Sequence, residues 1–235
     1  ACRSSKFSVL LSNHNVVVTL SSHFRNKLFH IEGSITHMTD EQYYTLIHPY
    51  QDAMNLILTR LKILNHTAYE NEDFQPIHSI TNRIKEKESI ENKLVKKRVS
   101  TSMQDAKSFL QDIAGIRVIC FFEKDIRHLV ECLKKQSDLI VIKEKDYITA
   151  PKPNGYRSYH VIIGVPIYYM DGMEYYPVEI QFRTISMDFW AAMEHRICYK
   201  NQPFNELEMK NAFLQYSEIL EKMEKSFEVY SENCS

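Results

Sequence analysis

Two acidic residues occupy positions where a carboxylate could do chemistry. Asp112 lies just before residues 116–122, a β-branched and aromatic run that predicts a buried strand. Glu179 alternates with apolar neighbours along residues 173–183, which predicts a second strand. Either carboxylate could hold a metal ion, and Glu179 could also act as a general base. A turn-forming Asp and an exposed strand Glu would explain the same pattern without any chemistry.

A second group combines cations with aromatic rings in one turned segment. Residues 145–160 contain K-D-Y and K-P-N-G-Y-R-S-Y-H, and prolines and an Asn-Gly pair stiffen the chain there. A tyrosine ring of this segment could stack on a nucleobase while the cations contact phosphates. The density of such groups favours this interpretation over a surface loop whose tyrosines pack on the domain. The candidate residues are Lys145, Lys152, Tyr156 and His160.

A third group is the basic segment 83–98, which holds seven basic residues against three acidic ones. Ser89 and Lys93 share one face of the predicted helix, and Arg83 and Lys85 share one face of the strand before it. Such a stripe could bind a polyphosphate through charge-assisted hydrogen bonds. On spacing alone, a solvated helix with Glu/Lys pairs four residues apart explains the segment better.

Glycine scarcity restricts how this chain could hold a phosphate. Only five of its 235 residues are glycine, and neither G-x-G-x-x-G nor G-x-x-x-x-G-K-[ST] occurs. The common phosphate cradles built from backbone N–H groups are therefore excluded. If the protein binds nucleotides, its side chains must hold them.

The overall composition predicts a globular protein. Apolar residues make up 44% of the chain, charged residues 25%, and the formal net charge is −1. Any basic site must therefore be local, and the net charge does not support RNA binding. No apolar run approaches the roughly 18 residues of a membrane span. Five scattered cysteines without C-x-x-C favour a reducing, cytoplasmic location.

Sequence patterns predict an α+β fold that positions these groups. Thr39 and Gln42 form a capping box that opens an amphipathic helix, which His48-Pro49 is expected to break or restart. Ser186 is expected to cap a helix that ends near Tyr199. Periodicity predicts a strand at 77–85, a helix at 87–98, a helix at 126–135 and a strand at 139–143.

A β-hairpin is the most sharply defined local element. Asp171-Gly172, between two apolar runs, predicts a two-residue type I′ turn. An unbulged turn there would set His160 opposite Arg183 and Gly164 opposite Glu179. His160 and Glu179 would then share the polar face of the hairpin.

Two regions differ from the rest of the chain. Residues 1–26 form an atypical lead with a serine-rich, acid-free start, and we assign it no function. Residues 27–235 are predicted to be a single domain. Within it, 203–235 form a C-terminal helix whose apolar residues alternate three and four apart, which is typical of an oligomer seam. Packing onto the chain's own core would explain this seam equally well. Its members are Phe213, Tyr216, Leu220, Met223, Phe227 and Tyr230.

Four motifs in this order resemble the synthetase domain of the RelA/SpoT family, and more narrowly its stand-alone small alarmone synthetases. They are R-x-K-x-x-x-S-x-x-x-K at 83–93, D-I-A-G-I-R at 112–117, K-P-N-G-Y-R-S-Y-H at 152–160 and E-I-Q-F-R-T at 179–184. The resemblance begins near residue 27. It implies a nucleotidyltransferase-like synthetase fold, in which helices, including N- and C-terminal ones, flank a mixed, mostly antiparallel sheet.

The resemblance also implies an activity: transfer of the β,γ-pyrophosphate of ATP to the 3′-hydroxyl of GTP or GDP. Asp112 and Glu179 would hold Mg²⁺, and Glu179 would be the base. A homotetramer is implied, and the absence of a His-Asp dipeptide indicates synthesis without hydrolysis. The remaining roles would be Arg83 and Arg117 on adenine, Lys85, Ser89 and Lys93 on the ATP phosphates, Tyr156 on guanine, and Lys145, Lys152 and His160 on the acceptor's phosphates.

Two other functions remain open. Another nucleotidyltransferase-like enzyme would normally show paired carboxylates such as D-x-D, and the predicted strands contain none. A non-enzymatic RNA-binding or regulatory module could use the basic segment 83–98. That module would leave Asp112 and Glu179 without a role, and both would repel a phosphate backbone.

Overall fold

The computed structural model describes residues 9–12, 15–18, 37–68, 75–198 and 206–233. The chain separates into two compact units, Ala1–Ser34 and Ile35–Ser235. In the first unit, strands β1 (Val9–Ser12) and β2 (Asn15–Val18) pair antiparallel. The predicted boundary after residue 26 lies outside the described residues.

The second unit mixes helices and strands, which confirms the predicted α+β class. The short helix α3 was not predicted, because seven residues show too little periodicity. Its elements are α1 (Asp40–Thr67), β3 (Ile77–Ile84), α2 (Lys87–Lys96), α3 (Met103–Phe109), β4 (Ala114–Cys120), α4 (Glu123–Lys134), β5 (Ile140–Asp146), β6 (Tyr159–Tyr169), β7 (Gly172–Thr184), α5 (Ile185–Cys198) and α6 (Glu206–Asn233).

Five strands of this unit form one sheet in the order β3-β4-β7-β6-β5. The central pair β4–β7 is parallel, and the three other pairs are antiparallel. The expectation of a mixed, mostly antiparallel sheet is therefore confirmed. The parallel pair lies in the middle, where both strands have hydrogen-bonded neighbours on either side.

The two faces of the sheet differ in polarity because side chains alternate along each strand. On β7, Val178, Ile180 and Phe182 are completely buried. On the same face the ring of Tyr176 meets Tyr50 of α1, with 5.2 Å between the ring centroids. The apolar face thus packs against helices, and the opposite face is free to carry polar groups.

Helix α1 runs through Pro49 instead of breaking there, so the predicted interruption is wrong. A proline inside a helix costs about 3 kcal/mol, because it removes a hydrogen bond and crowds the preceding turn. Ile47 and Tyr50 beside it are 4% and 1% exposed, and their burial offsets that cost. The predicted capping box is confirmed: Thr39 Oγ1 accepts from the N–H of Gln42 at 3.2 Å, and Gln42 Oε1 accepts from the N–H of Thr39 at 3.0 Å.

The turn of the β6–β7 hairpin consists of Met170 and Asp171, and Tyr169 pairs with Gly172. A type I′ turn needs a positive φ at both turn residues. Among the described non-glycine residues only Arg98 has one. The predicted type I′ turn at Asp171-Gly172 is therefore wrong, because Gly172 is already the first residue of β7.

This turn shifts the hairpin register by two residues from the predicted one. His160 lies opposite Gln181 and Gly164 lies opposite Pro177, so both predicted cross-strand partners are wrong. A shift by an even number leaves every side chain on its face. The prediction that His160 and Glu179 share a face is therefore confirmed.

Helix α5 begins two residues earlier than a cap at Ser186 predicts, at Ile185. The hydroxyl of Thr184 accepts a hydrogen bond from the N–H of Met187 at 3.3 Å, so Thr184 takes the capping role expected of Ser186. Ser186 instead donates to the carboxylate of Glu224 on α6. Tyr199, the predicted end, lies outside the described residues.

The apolar seam predicted on α6 is divided between two environments. Phe213 is 6% exposed and packs against Trp190, and Leu220 is half-buried. Tyr216, Met223, Phe227 and Tyr230 are all exposed. The seam thus packs on the chain's own core only in part. Within the described ranges, no helix combines the length and the apolar character that crossing a bilayer requires.

We expect Phe182→Ala to lower the free energy of unfolding by about 3–5 kcal/mol, because it empties a fully enclosed site under the parallel strand pair. Urea denaturation followed by far-UV circular dichroism measures the change. Phe189→Ala is the matched control: its ring is 55% exposed, so its loss should cost no more than about 0.5 kcal/mol. Equal losses for both variants would contradict the assignment of the core.

Candidate active site

The strand register places a row of polar positions across the middle of the sheet. Arg83 on β3 pairs with Gly115 on β4, and Gly115 pairs with Glu179 on β7. Cross-strand partners project from the same face of a sheet. Arg83 and Glu179 therefore lie on opposite sides of a position that has no side chain.

A second row lies one step further along the strands. Arg117 on β4 pairs with Gln181 on β7, Gln181 pairs with His160 on β6, and His160 pairs with Lys145 on the edge strand β5. The predicted site residues Arg117, His160 and Lys145 thus project from the same face as Arg83 and Glu179. Segments far apart in the sequence meet because β4 and β7 are neighbours.

An open cleft with a cavity volume of about 210 Å³ lies over this polar face. At Gly115 a Cβ would meet no heavy atom closer than the carbonyl oxygen of Arg83, at 3.9 Å. Backbone strain does not require glycine there, but any side chain would enter the cleft. Lining residues include Arg83, Lys85, Asp112, Arg117 and Glu179.

Asp112 is the most constrained carboxylate in the cleft. Its Oδ2 accepts hydrogen bonds from Lys85 Nζ and Lys93 Nζ. Burial raises the pKa of Asp112, but these two bonds outweigh burial, so its pKa lies below the ordinary value. The other oxygen, Oδ1, is buried without a hydrogen-bond partner from the described part of the chain.

The contacts of helix α2 do not follow the solvated-helix alternative. Lys93 bonds to Asp112, Lys87 bonds to Asp40 at 2.6 Å, and the buried Glu91 accepts from the N–H of Met38 at 2.8 Å. All three contacts join α2 to other segments of the chain. The solvated-helix alternative predicted Glu/Lys pairs four residues apart within the helix instead. Ser89 is exposed one helical turn before Lys93.

His160 connects Glu179 to the aromatic segment. Its Nδ1 lies 3.7 Å from Glu179 Oε1, and its Nε2 lies 3.0 Å from the hydroxyl of Tyr156. The neighbouring His160 lowers the pKa of Glu179, although burial and the charge of Asp112 act in the opposite direction. Glu179 is therefore an ionised carboxylate at neutral pH.

The β5–β6 loop (residues 147–158) gathers the predicted aromatic and cationic groups. Lys152 Nζ lies 4.6 Å from the ring centroid of Tyr156 and 4.9 Å from that of Tyr147. Lys145 Nζ lies 5.9 Å from the Tyr147 centroid. These are cation–π distances, so the two lysines and two rings form one cluster.

Asp146 anchors the start of this loop. Its carboxylate accepts from Arg127 Nη1, from the hydroxyl of Thr149 at 2.8 Å, and from the N–H groups of Ile148 and Thr149, both at 2.9 Å. Burial alone would raise the pKa of Asp146, but these hydrogen bonds lower it to about 2. The carboxylate thus closes the turn that leads into the loop.

Sequence reasoning missed one side-chain pair in the site. Arg183 donates from Nη2 to the hydroxyl of Tyr156 at 3.1 Å and from Nη1 to Asp188 at 2.8 Å. Oδ1 of Asp188 also lies 3.7 Å from Nη1 of Arg117. The two-residue alternation of the strand predicts that Arg183 lies on the polar face. No spacing pattern in the sequence connects Arg183 to Asp188 in the following helix. Trp190, expected in the core, is 4% exposed.

Comparison with known proteins identifies the family of this chain. Residues 82–203, about half of its length, match the region found in RelA/SpoT proteins. The chain belongs to the RelA/SpoT family. Among RelA/SpoT relatives, the GTP pyrophosphokinase YwaC of Bacillus subtilis is 42% identical over 172 residues, or 71% of this chain and 82% of YwaC. The GTP pyrophosphokinase YjbM of the same organism is 38% identical over 69% of this chain and 76% of YjbM.

Solved structures of the family share the fold. Small alarmone synthetase 1 from Bacillus subtilis, bound to its product pppGpp, has a TM-score of 0.70 and 33% identity over 83% of this chain and 98% of that chain. Small alarmone synthetase 2 has a TM-score of 0.71 and 35% identity over 82% of this chain and 99% of that chain. The resemblance found in the four motifs is thereby confirmed at the level of family and fold.

We expect Asp146→Asn to destabilise the protein in a pH-dependent way. A carboxyl with a lowered pKa contributes stability above its ordinary value of 3.8, and that stability is lost as the pH falls toward about 2. The wild type should therefore be more stable than the variant near pH 6, and the difference between their free energies of unfolding should shrink as the pH falls below 3.8. Urea denaturation across this range measures it.

The matched control for that titration is Asp171→Asn, at the exposed turn of the hairpin. This substitution should leave the pH dependence of unfolding unchanged. A constant gap between wild type and Asp146→Asn from pH 6 to pH 3 would contradict the anchoring role of Asp146.

Proposed function

We propose that this chain is a GTP pyrophosphokinase of the small alarmone synthetase type. It transfers the β,γ-pyrophosphate of ATP to the 3′-hydroxyl of GTP or GDP and forms AMP with pppGpp or ppGpp. One observation carries the proposal: Glu179 lines the cleft that holds Arg83 and Lys85, and His160 connects it to Tyr156 in the β5–β6 loop. The ionised carboxylate of Glu179 thus lies between two groups of cations.

The cleft side of Glu179 is the ATP side. Arg83 and Arg117 project from neighbouring strands, and planar guanidinium groups stack well on an adenine ring. Lys85 and Lys93 converge on Asp112, where they can turn to a triphosphate. Ser89 is exposed on α2, the helix that carries Lys93, and its hydroxyl adds a further group to this triphosphate site.

The loop side of Glu179 is the acceptor side. Tyr156 offers a ring face for guanine, and base stacking on an aromatic ring contributes about 1–3 kcal/mol. Lys152 and Lys145 lie close enough to the rings to reach phosphates of the same nucleotide. His160 keeps this cluster of rings and lysines next to Glu179, the carboxylate that acts on the acceptor's 3′-hydroxyl.

The residues of the cleft fit a magnesium ion. Asp112 Oδ1 is a buried oxygen without a hydrogen-bond partner in the described chain, and Glu179 is close enough for its pKa to respond to the charge of Asp112. Mg²⁺ is commonly bound by one or two carboxylates together with substrate phosphates. When bound, the ion would neutralise charge that develops on the phosphates.

The chemistry assigned to the chain's own residues is positioning and proton removal. Glu179 accepts the proton of the 3′-hydroxyl, and the 3′-oxygen forms a bond to the β-phosphorus of ATP. The bond between that phosphorus and the oxygen bridging to the α-phosphate breaks, and AMP leaves with that oxygen. The lysines and arginines hold both nucleotides in line and offset their mutual repulsion.

Assembly and location complete the proposal. The exposed apolar side chains of α6 support association with other copies of the chain, because such residues are usually covered in an assembly, and the family resemblance implies a homotetramer. The three described cysteines, Cys120, Cys132 and Cys198, are unpaired, which supports a reducing cytoplasm. RNA binding as the main function has less support, since the two carboxylates of the cleft would repel phosphates in the absence of a metal ion.

Incubation with ATP, GTP and Mg²⁺, followed by separation of the nucleotides, tests the proposed reaction. AMP and pppGpp should form in equal amounts. Release of inorganic pyrophosphate would instead indicate nucleotidyl transfer, and the absence of any product would favour a binding module.

Glu179→Ala should lower the rate of pppGpp synthesis by at least about 100-fold, because it removes the proposed base. The circular dichroism spectrum and the midpoint of thermal unfolding should stay close to those of the wild type. Glu131→Ala, an exposed glutamate on α4, is the matched control and should retain full activity. Near-wild-type synthesis by Glu179→Ala would remove Glu179 from the mechanism.

Arg83→Ala and Tyr156→Ala should affect different substrates. Arg83→Ala should raise KM for ATP about fivefold, through loss of stacking on adenine, and leave KM for GTP unchanged. Tyr156→Ala should raise KM for GTP about tenfold or more and leave KM for ATP unchanged. Each variant controls for the other in steady-state assays. The reverse pattern would show that the two nucleotide sites have been exchanged.

A further inference from the structure

The C-terminal helix α6 packs directly against the back of the β5–β6 loop. The hydroxyl of Ser217 donates a buried hydrogen bond of 2.7 Å to the carbonyl oxygen of Gly155. Gly155 has a φ of +91°, and a Cβ there would lie 3.0 Å from Ser217 Cβ and 3.1 Å from Leu214 Cα. Only glycine allows both this backbone conformation and this close approach.

A second contact joins the same helix to the loop two residues later. Arg157 is 6% exposed, and its guanidinium lies 3.5 Å from Glu221 of α6 and 3.4 Å from Glu123 of α4. A buried cation is tolerated only when it is paired, so these carboxylates hold Arg157 in place. The loop is thus attached to α6 at residues 155 and 157.

Tyr156 lies between these two attachment points and contacts the other side of the loop. Its hydroxyl bonds to Arg183 and His160, and its ring lies below Lys152. Trp190 connects Tyr156 to α6 as well. The centroids of the Trp190 and Tyr156 rings are 6.3 Å apart, and Trp190 Nε1 donates to the carbonyl oxygen of Phe213 on α6 at 2.7 Å. The backbone on both sides of Tyr156 is therefore fixed by groups outside the polar face.

We propose that Ser217 and Glu221 of α6 are positioning residues for the acceptor nucleotide. They hold the β5–β6 loop in the conformation that presents Tyr156 to guanine, so that binding does not have to order the loop. This inference rests on the proposed function, since it assigns the loop to the guanine nucleotide. Neither residue reaches the cleft, and neither contributes to the binding of ATP.

The first test measures GDP binding to the full chain without turnover. Trp190 is the only tryptophan in the sequence and touches both Tyr156 and α6, so its fluorescence reports on the loop. Ser217→Ala should weaken GDP binding about three- to tenfold, the effect of losing one buried hydrogen bond. Ser226→Ala, the same change at an exposed position of α6, should bind GDP like the wild type.

A second pair of variants tests the other attachment point. Glu221→Gln removes the charge that faces Arg157 and should weaken GDP binding by a similar factor. Glu218→Gln, at an exposed position on the same helix, should have no effect. In synthesis assays, Ser217→Ala and Glu221→Gln should raise KM for GTP and leave KM for ATP unchanged, a split that general destabilisation would not produce.

The possible outcomes separate the two proposals. If the wild type binds GDP but Ser217→Ala and Glu221→Gln bind it equally well, the positioning role is overturned and the proposed function stands. Equal increases in both KM values would also overturn the positioning role. If the wild type neither binds GDP nor forms pppGpp, both proposals fall.

Discussion

The parallel pairing of β4 with β7 is the constraint on which the candidate site depends. It sets Gly115 beside Glu179 and Arg117 beside Gln181, although the residues of each pair are 64 positions apart in the sequence. A slip of one residue would turn every one of these side chains toward the apolar core. Burial of Val178, Ile180 and Phe182 prevents that slip. The core therefore fixes the register, and the register assembles the cleft.

Charge balance in the cleft follows from this geometry. Lys85 and Lys93 could not lie so close together without the carboxylate of Asp112 between them, because two unpaired ammonium groups repel each other. Burial lowers the pKa of Lys85 despite that carboxylate. The same cations that neutralise Asp112 are the ones assigned to a triphosphate. The site is thus a set of charges that compensate one another, and a more highly charged ligand can take over the pairings of the two lysines.

Local periodicity predicted most of the helices and strands and the shared face of His160 and Glu179, whereas the mixed sheet and the grouping of the other site residues were implied by the resemblance to the RelA/SpoT family. The hairpin register was wrong by two residues, yet the shared face of His160 and Glu179 was right, since an even shift preserves period two. Long-range packing could not be predicted. The passage of α1 through Pro49 depends on burial of its neighbours, and the contact of Ser217 with Gly155 joins residues 62 positions apart. No spacing rule connects such pairs.

Helix α6 has two sides that face different surroundings. Ser217 and Glu221 point to the β5–β6 loop, whereas Ile219 and Phe227 are both 60% exposed. Substitutions on the exposed side therefore leave the contacts of the loop intact. The proposed assembly surface can thus change without disturbing the residues that hold the β5–β6 loop.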